Sequence, residues 1–204
     1  MKLYYSPSSP YVRKVVVTAH EKGLFPRLRL IPTAVNPLVP NLDLARDNPL
    51  MKLPTLVTDE GLTLFDSSLI CEYLDALQSN VPQLLPSTGN ARWQVLRLEN
   101  IADGILEAGL LLRYEQLTRP ETQRSDAWQA GQATKIRQGL DLLEQEVSQF
   151  AESRTLGTIA VGCALGWLEF RMPIGEMRSA RPRVFAWWDK LQTRPAFATT
   201  TPVG

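Results

Sequence analysis

The sequence predicts an α+β chain in two parts, a small mixed domain over residues 1–78 and an all-helical bundle over 91–204, joined by a linker at 79–90. Three observations predict this division. Ten of the 15 prolines fall within residues 1–90, and only Pro120 interrupts 91–172. Proline breaks helix interiors and central strands, so the first part must be short elements joined by turns. All five tryptophans follow residue 90, and Ile136, Leu140, Leu143, Val147 and Phe150 recur at steps of 4, 3, 4 and 3, the period of an amphipathic helix.

Taken in order, Lys2–Tyr5 reads as a short strand and Pro10 as a first helical residue, where a missing N–H costs nothing. A helix over Tyr11–Lys22 follows, although Val15, Val16 and Val17 suit a strand equally well by period; length decides for helix. Gly23 stops it, and Arg27–Ile31 alternates as a strand. After a proline-rich connection, Thr55–Thr58 and Leu62–Leu64 form a hairpin around Gly61. Asp66, Ser67 and Ser68 then cap a helix with an apolar face of Leu69, Ile70, Tyr73, Leu74 and Leu77. The order βαβ, connection, ββα matches a thioredoxin-like domain. The bundle reads as four helices: Ala91 to Thr118, the 136–150 repeat, a nearly all-apolar buried helix from Thr158 to Phe170, and a last one near Arg183 to Thr193.

Charge excludes several partners. Twenty-two Lys and Arg oppose 21 Asp and Glu, and residues 1–80 balance eight against eight, so a nucleic-acid partner is not expected. No apolar run approaches the ~20 residues that span a bilayer, so no membrane partner is expected. Pro7 and Pro10 interrupt the opening before any signal-like stretch forms. Cys71 and Cys163 have no CxxC or histidine-rich companion, so neither a disulfide nor a metal site is expected, and the cytoplasm is the expected location.

Two segments carry chemistry. In Asn48–Leu56, Pro54 stands immediately before a strand, and Leu53–Pro54 is a candidate cis peptide that would turn the Leu53 backbone outward to pair with an extended ligand. Ten residues on, the Ser67 hydroxyl and the first amides of its helix form an anion site for a carboxylate, and Asp66 can receive an ammonium. A ligand with an α-amino-acid end and a peptide-like middle fits both. A helix cap and a strand-initiating proline explain the same residues more plainly. Ser9, at the start of the first helix, can donate to a thiolate whose pKa the helix dipole lowers, or can simply cap the helix.

Together these segments resemble the cytosolic glutathione S-transferases, in the bacterial branch that opens like Tyr5-Ser-Pro-Ser-Ser-Pro-Tyr-Val-Arg-Lys14. The likeness extends through Asn48–Leu56, Asp66-Ser67, Leu85-Pro86 and the closing Phe185–Phe197. It implies a thioredoxin-like domain of order βαβ-α-ββα followed by a helical bundle. Leu53, beside cis-Pro54, would pair with the cysteinyl part of glutathione, Asp66 and Ser67 would hold the γ-glutamyl end, and Lys52 would reach the glycyl carboxylate. Ser9 matches the hydroxyl that activates the sulfur. Glutathione would be a co-substrate, with no resident cofactor and no metal. The implied activity is conjugation of glutathione to a small hydrophobic electrophile by a cytoplasmic homodimer. A partner-binding regulatory role and glutathione-dependent reduction of disulfides or peroxides are the alternatives.

Three departures stand out. The family opens its central bundle helix with Ser/Thr-x-x-Asp; the residues matched here are Thr158-Ile-Ala-Val161, which leaves half a reciprocal cap, a loss of about 1 kcal/mol. Asp66 replaces a more common Glu, and no Cys occupies Ser8–Tyr11, which disfavours the mixed-disulfide subgroups. Tyr5, Arg113 and Tyr114 are candidates for the second-substrate pocket, and Asp103 for an acid reaching glutathione across the dimer. Tyr4 and Tyr5 lie on the strand leading to Ser9, so either could approach the sulfur, although packing is their plainer use. His20 is expected to be structural or at the surface, and Cys71, Cys163, Trp187 and Trp188 to lie in the core.

Overall fold

The computed structural model describes residues 1–172 and 175–204. They divide into two compact units, one formed by Met1–Arg92 with Arg194–Gly204 and the other by Trp93–Thr193. The first unit contains β1 (Lys2–Tyr5), α1 (Pro10–Glu21), β2 (Arg29–Pro32), α2 (Leu42–Ala45), β3 (Thr55–Val57), β4 (Thr63–Phe65) and α3 (Ser67–Leu77). Its sheet has the order β2-β1-β3-β4. β1 pairs parallel with β2, and α1 supplies the crossover that a parallel pair requires. β3 runs antiparallel to both β1 and β4. The core lies where Leu3 and Leu56 meet α1 and α3, which pack together through residues such as Val15, Ala19, Ile70 and Leu74.

The second unit holds most of α4 (Gly89–Thr118), then α5 (Asp126–Phe150), α6 (Leu156–Arg171), α7 (Gly175–Ser179) and α8 (Pro182–Leu191). α6 is buried on nearly every side from Leu156 to Leu168, as its composition requires. It approaches α4 closely at two points. A Cβ on Gly157 would lie 2.8 Å from the Val95 carbonyl oxygen, and one on Gly109 would lie 2.6 Å from the Trp167 ring. Trp187 and Trp188 are core residues whose indole N–H groups donate to the Ala151 carbonyl and to Glu169. Among the described residues no helix is long and apolar enough to cross a membrane.

Two expectations are corrected. The last eleven residues, assigned by sequence to the bundle, belong to the first unit. Their helix α9 (Pro195–Ala198) packs on α1, because Arg13 donates to the Phe197 carbonyl (3.1 Å) and Thr200 Oγ1 (3.3 Å) and Arg194 forks onto Glu21 at 2.8 and 2.9 Å. The reciprocal cap of α6 is also whole. Its N-cap is Thr155 and not Thr158; the Thr155 hydroxyl accepts from the Thr158 N–H (3.2 Å) and the Thr158 hydroxyl accepts from the Thr155 N–H (3.0 Å). The helix starts one turn earlier than its apolar run, and a threonine hydroxyl serves where an acid was sought.

A buried ion pair ties the 79–90 segment to the first unit. Lys22, at the C-cap of α1, lies 2.8 Å from Asp75 of α3, and both are essentially out of solvent. Lys22 also donates to the Val81 and Pro82 carbonyls, while Asp75 accepts from the Leu84 and Leu85 amides. Four polar groups of the connecting chain are thus satisfied by two side chains.

Candidate functional site

Strand register decides where the candidate residues meet. Thr55 is opposite Tyr4 on one side and Phe65 on the other. The end of β1, the start of β3 and the end of β4 therefore share one edge of the sheet. The Ser9 loop, Leu53-Pro54 and Asp66-Ser67, which are up to 58 positions apart in sequence, leave the sheet at that edge.

Ser9 is the N-cap of α1, and its Oγ accepts from the Val12 N–H at 3.3 Å. A hydroxyl that accepts in this way keeps its own hydrogen for another acceptor. It lies at the positive end of a twelve-residue helix, where an anion is favoured. Pro10 at the first helical position fixes the entry of the chain.

Leu53–Pro54 is cis. The bond is framed by Asn48, which is fully buried: its Nδ2 donates to the Lys52 carbonyl (3.1 Å) and to Thr55 Oγ1 (2.8 Å), and its Oδ1 accepts from the Leu50 N–H (2.9 Å). Thr55 Oγ1 in turn donates to the Lys52 carbonyl at 2.9 Å. These bonds hold the turn from within, while Leu53 remains partly exposed and the Lys52 side chain exposed. Asn48 was visible in the sequence only as the first letter of a motif; its role depends on hydrogen bonds that close a loop of seven residues.

Asp66 adopts φ 78°, ψ 128°, a region that side-chain-bearing residues rarely occupy. Such strain persists where the surroundings over-determine it, and it concentrates at binding sites. Here β4 ends and α3 begins within one residue. Asp66 Oδ1 caps α3 by accepting from the Ser68 and Leu69 amides at 2.9 and 3.3 Å. Ser67, the first helical residue, is 4 % exposed. The buried Lys14 of α1 donates to Ser68 Oγ at 3.1 Å, which links the helix of Ser9 to the helix of Ser67.

Tyr4 is held away from this edge, since its hydroxyl donates to Asp47 (2.6 Å), an oxygen shared with the Lys2 ammonium. That arrangement keeps the Asp47 carboxyl below its ordinary range, through Lys2 first and Tyr4 second. Tyr5 instead borders a cavity of about 70 Å³ with Ser6, Ser9, Arg13, His20 and Thr200. Ligand sites run to hundreds of Å³, so this space suits one or a few waters and not a tripeptide. His20 stacks on Phe25 at 4.0 Å, and burial lowers its pKa, with Glu21 opposing. Cys71 and Cys163 are both buried in the core, and Cys71 Sγ accepts from the Thr18 hydroxyl at 3.4 Å. In the second unit Arg113, Tyr114 and Asp103 are half-buried on α4, and burial raises the Tyr114 pKa. Among the described residues no group of three His, Cys, Asp or Glu could hold a metal ion.

Residues 8–77 match the family model "Glutathione S-transferase, N-terminal domain". The chain is 37% identical to the uncharacterized GST-like protein YibF of Escherichia coli K12, over 99% of this chain and 98% of that one. Two structures of a glutathione transferase family member from Pseudomonas fluorescens Pf-5 superpose on it. One holds glutathione (TM-score 0.96, 40% identity, covering 100% of this chain and 99% of that one). The other holds S-(propanoic acid)-glutathione (TM-score 0.92, 38% identity, covering 100% of both). With likeness of this extent over the whole of its length, and with the cis-Pro54 and Asp66-Ser67 features at one sheet edge, the chain belongs to the glutathione S-transferase family.

Proposed function

We propose that the protein is a glutathione transferase that joins the glutathione sulfur to a small hydrophobic electrophile. The observation that carries this reading is the convergence, at one sheet edge, of a serine hydroxyl with an uncommitted hydrogen, an outward-facing cis-proline turn and a serine at a helix N-terminus. Each suits one part of the tripeptide. The Leu53 backbone pairs with the cysteinyl residue as one strand pairs with the next. Ser67 and the first amides of α3 take the γ-glutamyl carboxylate, with Asp66 facing the ammonium. Lys52, exposed beside the turn, reaches the glycyl carboxylate.

The sulfur then lies near Ser9. The hydroxyl hydrogen and the N-terminus of α1 stabilise the thiolate, so the thiol releases its proton to solvent near neutral pH. The thiolate attacks carbon; with an aryl halide the S–C bond forms as halide departs with the bonding pair. The S-(propanoic acid)-glutathione held by the Pseudomonas protein has the covalent form that such a step leaves, a carbon chain on the glutathione sulfur. A cytoplasmic homodimer completes the proposal, with Asp103 as the acid that reaches glutathione bound to the other copy. The exposed Leu62 and Leu69 offer apolar surface to that second copy.

Two Ser9 variants separate thiol activation from capping. Ser9→Asn preserves a good N-cap but removes the hydroxyl, whereas Ser9→Ala removes both. Both should lower turnover of an aryl halide at least tenfold while glutathione affinity, measured by calorimetry, stays within a few-fold. Full activity in Ser9→Asn would mean that Ser9 serves only as a cap. Glutathione binding without turnover of any electrophile panel would favour a non-catalytic role.

A further inference from the structure

The two glycine contacts of α6 fix how it lies on α4. Gly157 meets Val95 and Leu98, and Gly109 meets Trp167, so the two helices run in the same direction with a constant offset. One helical turn beyond the second contact, at i+4 on each helix, stand Arg113 and Arg171. The packing that needs glycine at 109 therefore sets the two arginines one turn beyond the same contact, close enough for the charge of Arg113 to act on Arg171. Both are half-buried, and neither has an ion-pair or hydrogen-bond partner among the described residues.

The acids beside them are already engaged. Glu115 pairs with Arg119 and accepts from the Ser125 N–H, and Glu169 is held by Arg178 and the Trp188 N–H. Arg171 lies against the Phe170 ring at 3.8 Å, which supports the cation but does not neutralise it. Burial, and then the charge of Arg113, lowers the Arg171 pKa, as expected for like charges without an anion between them. Tyr114, kept protonated by burial, adds a hydroxyl donor next to Arg113.

We propose that Arg113 and Arg171 form an anion-binding site for a carboxylate carried by the second substrate. This rests on the reading that the electrophile is held by the helical unit, and it narrows the substrate class from small hydrophobic electrophiles to those that also bear a carboxylate. Two planar guanidiniums match a carboxylate in both charge and geometry. An uncharged electrophile would leave the pair unrelieved.

The test compares 4-nitrobenzoate with its neutral counterpart 4-nitrobenzamide by calorimetric titration. The wild-type protein should bind the carboxylate about tenfold more tightly, the scale of one charge-assisted contact. Arg113→Gln and Arg171→Gln should each reduce that preference below about threefold, whereas Arg113→Lys and Arg171→Lys, which keep the charge, should retain most of it. Equal affinities in the wild type, or a preference unchanged in both Gln variants, would overturn the proposal while leaving glutathione transfer intact. Glutathione titrated on its own tests the proposed function separately, so failure of either reading is distinguishable from failure of the other.

Discussion

Removing Asp75 should loosen the first unit more than any other single surface-distant change. Its carboxylate takes the Lys22 ammonium at 2.8 Å and three contacts from the Leu84 and Leu85 amides at 3.0 to 3.1 Å. Asp75→Ala leaves an ammonium with no exposed surface, supported only by the Val81 and Pro82 carbonyls at 3.3 and 3.2 Å. Breaking a buried pair from one side costs about 3–5 kcal/mol. With a urea slope of ~2 kcal/mol per molar, the unfolding midpoint should fall by roughly 2 M. Lys22→Met combined with Asp75→Leu removes both charges, so it should recover about 1–3 kcal/mol of the single variant's loss despite the stranded backbone groups. Urea unfolding followed by tryptophan fluorescence would not suffice, because every tryptophan lies after residue 90; far-ultraviolet dichroism and limited proteolysis at the linker report on the first unit. A loss below about 1 kcal/mol for Asp75→Ala, or a double variant less stable than the single one, would refute the idea that this pair anchors the linker.

Three further outcomes are expected. Asn48→Ala should strand the Leu50 amide and leave the Lys52 carbonyl with Thr55 as its one donor in the turn, cost about 1–3 kcal/mol, and weaken glutathione affinity more than Lys52→Ala does. Ser67→Ala should reduce retention on immobilised glutathione several-fold with little change in thermal midpoint; unchanged retention would remove the anion-site assignment. His20 is the one histidine in the sequence, and its pKa is lowered in the fold by burial. The unfolded chain therefore binds that proton more readily, so stability should be complete above the ordinary histidine pKa of about 6.5 and decline as pH falls below it. His20→Phe should flatten that part of the pH–stability curve, and an unaltered slope would assign it to other groups.

Much of this architecture follows from local signals. Pro10 and Ser9 mark the start of α1, Gly61 marks the β3–β4 turn, and the 136–150 repeat marks α5, because caps, turns and helical period act over a few residues. The cis bond at Leu53-Pro54 and the capped start of α3 were also visible, since each depends on residues that are neighbours in sequence. The cap of α6 was misplaced by one turn because Thr155 and Thr158 are both plausible caps, and only the backbone shows which one sits outside the helix.

The sequence by itself determined most of the elements and the family, because these follow from short-range propensity and from motifs a few residues long. Tertiary structure alone decided three things: that the closing segment joins α1 through Arg13, that Lys22 and Asp75 fasten the linker, and that α4 and α6 meet closely at Gly109 and Gly157. Arg13 and Phe197 are 184 positions apart, and no local rule couples residues at that distance. Their meeting is set by which buried donors and acceptors find partners once the cores have closed.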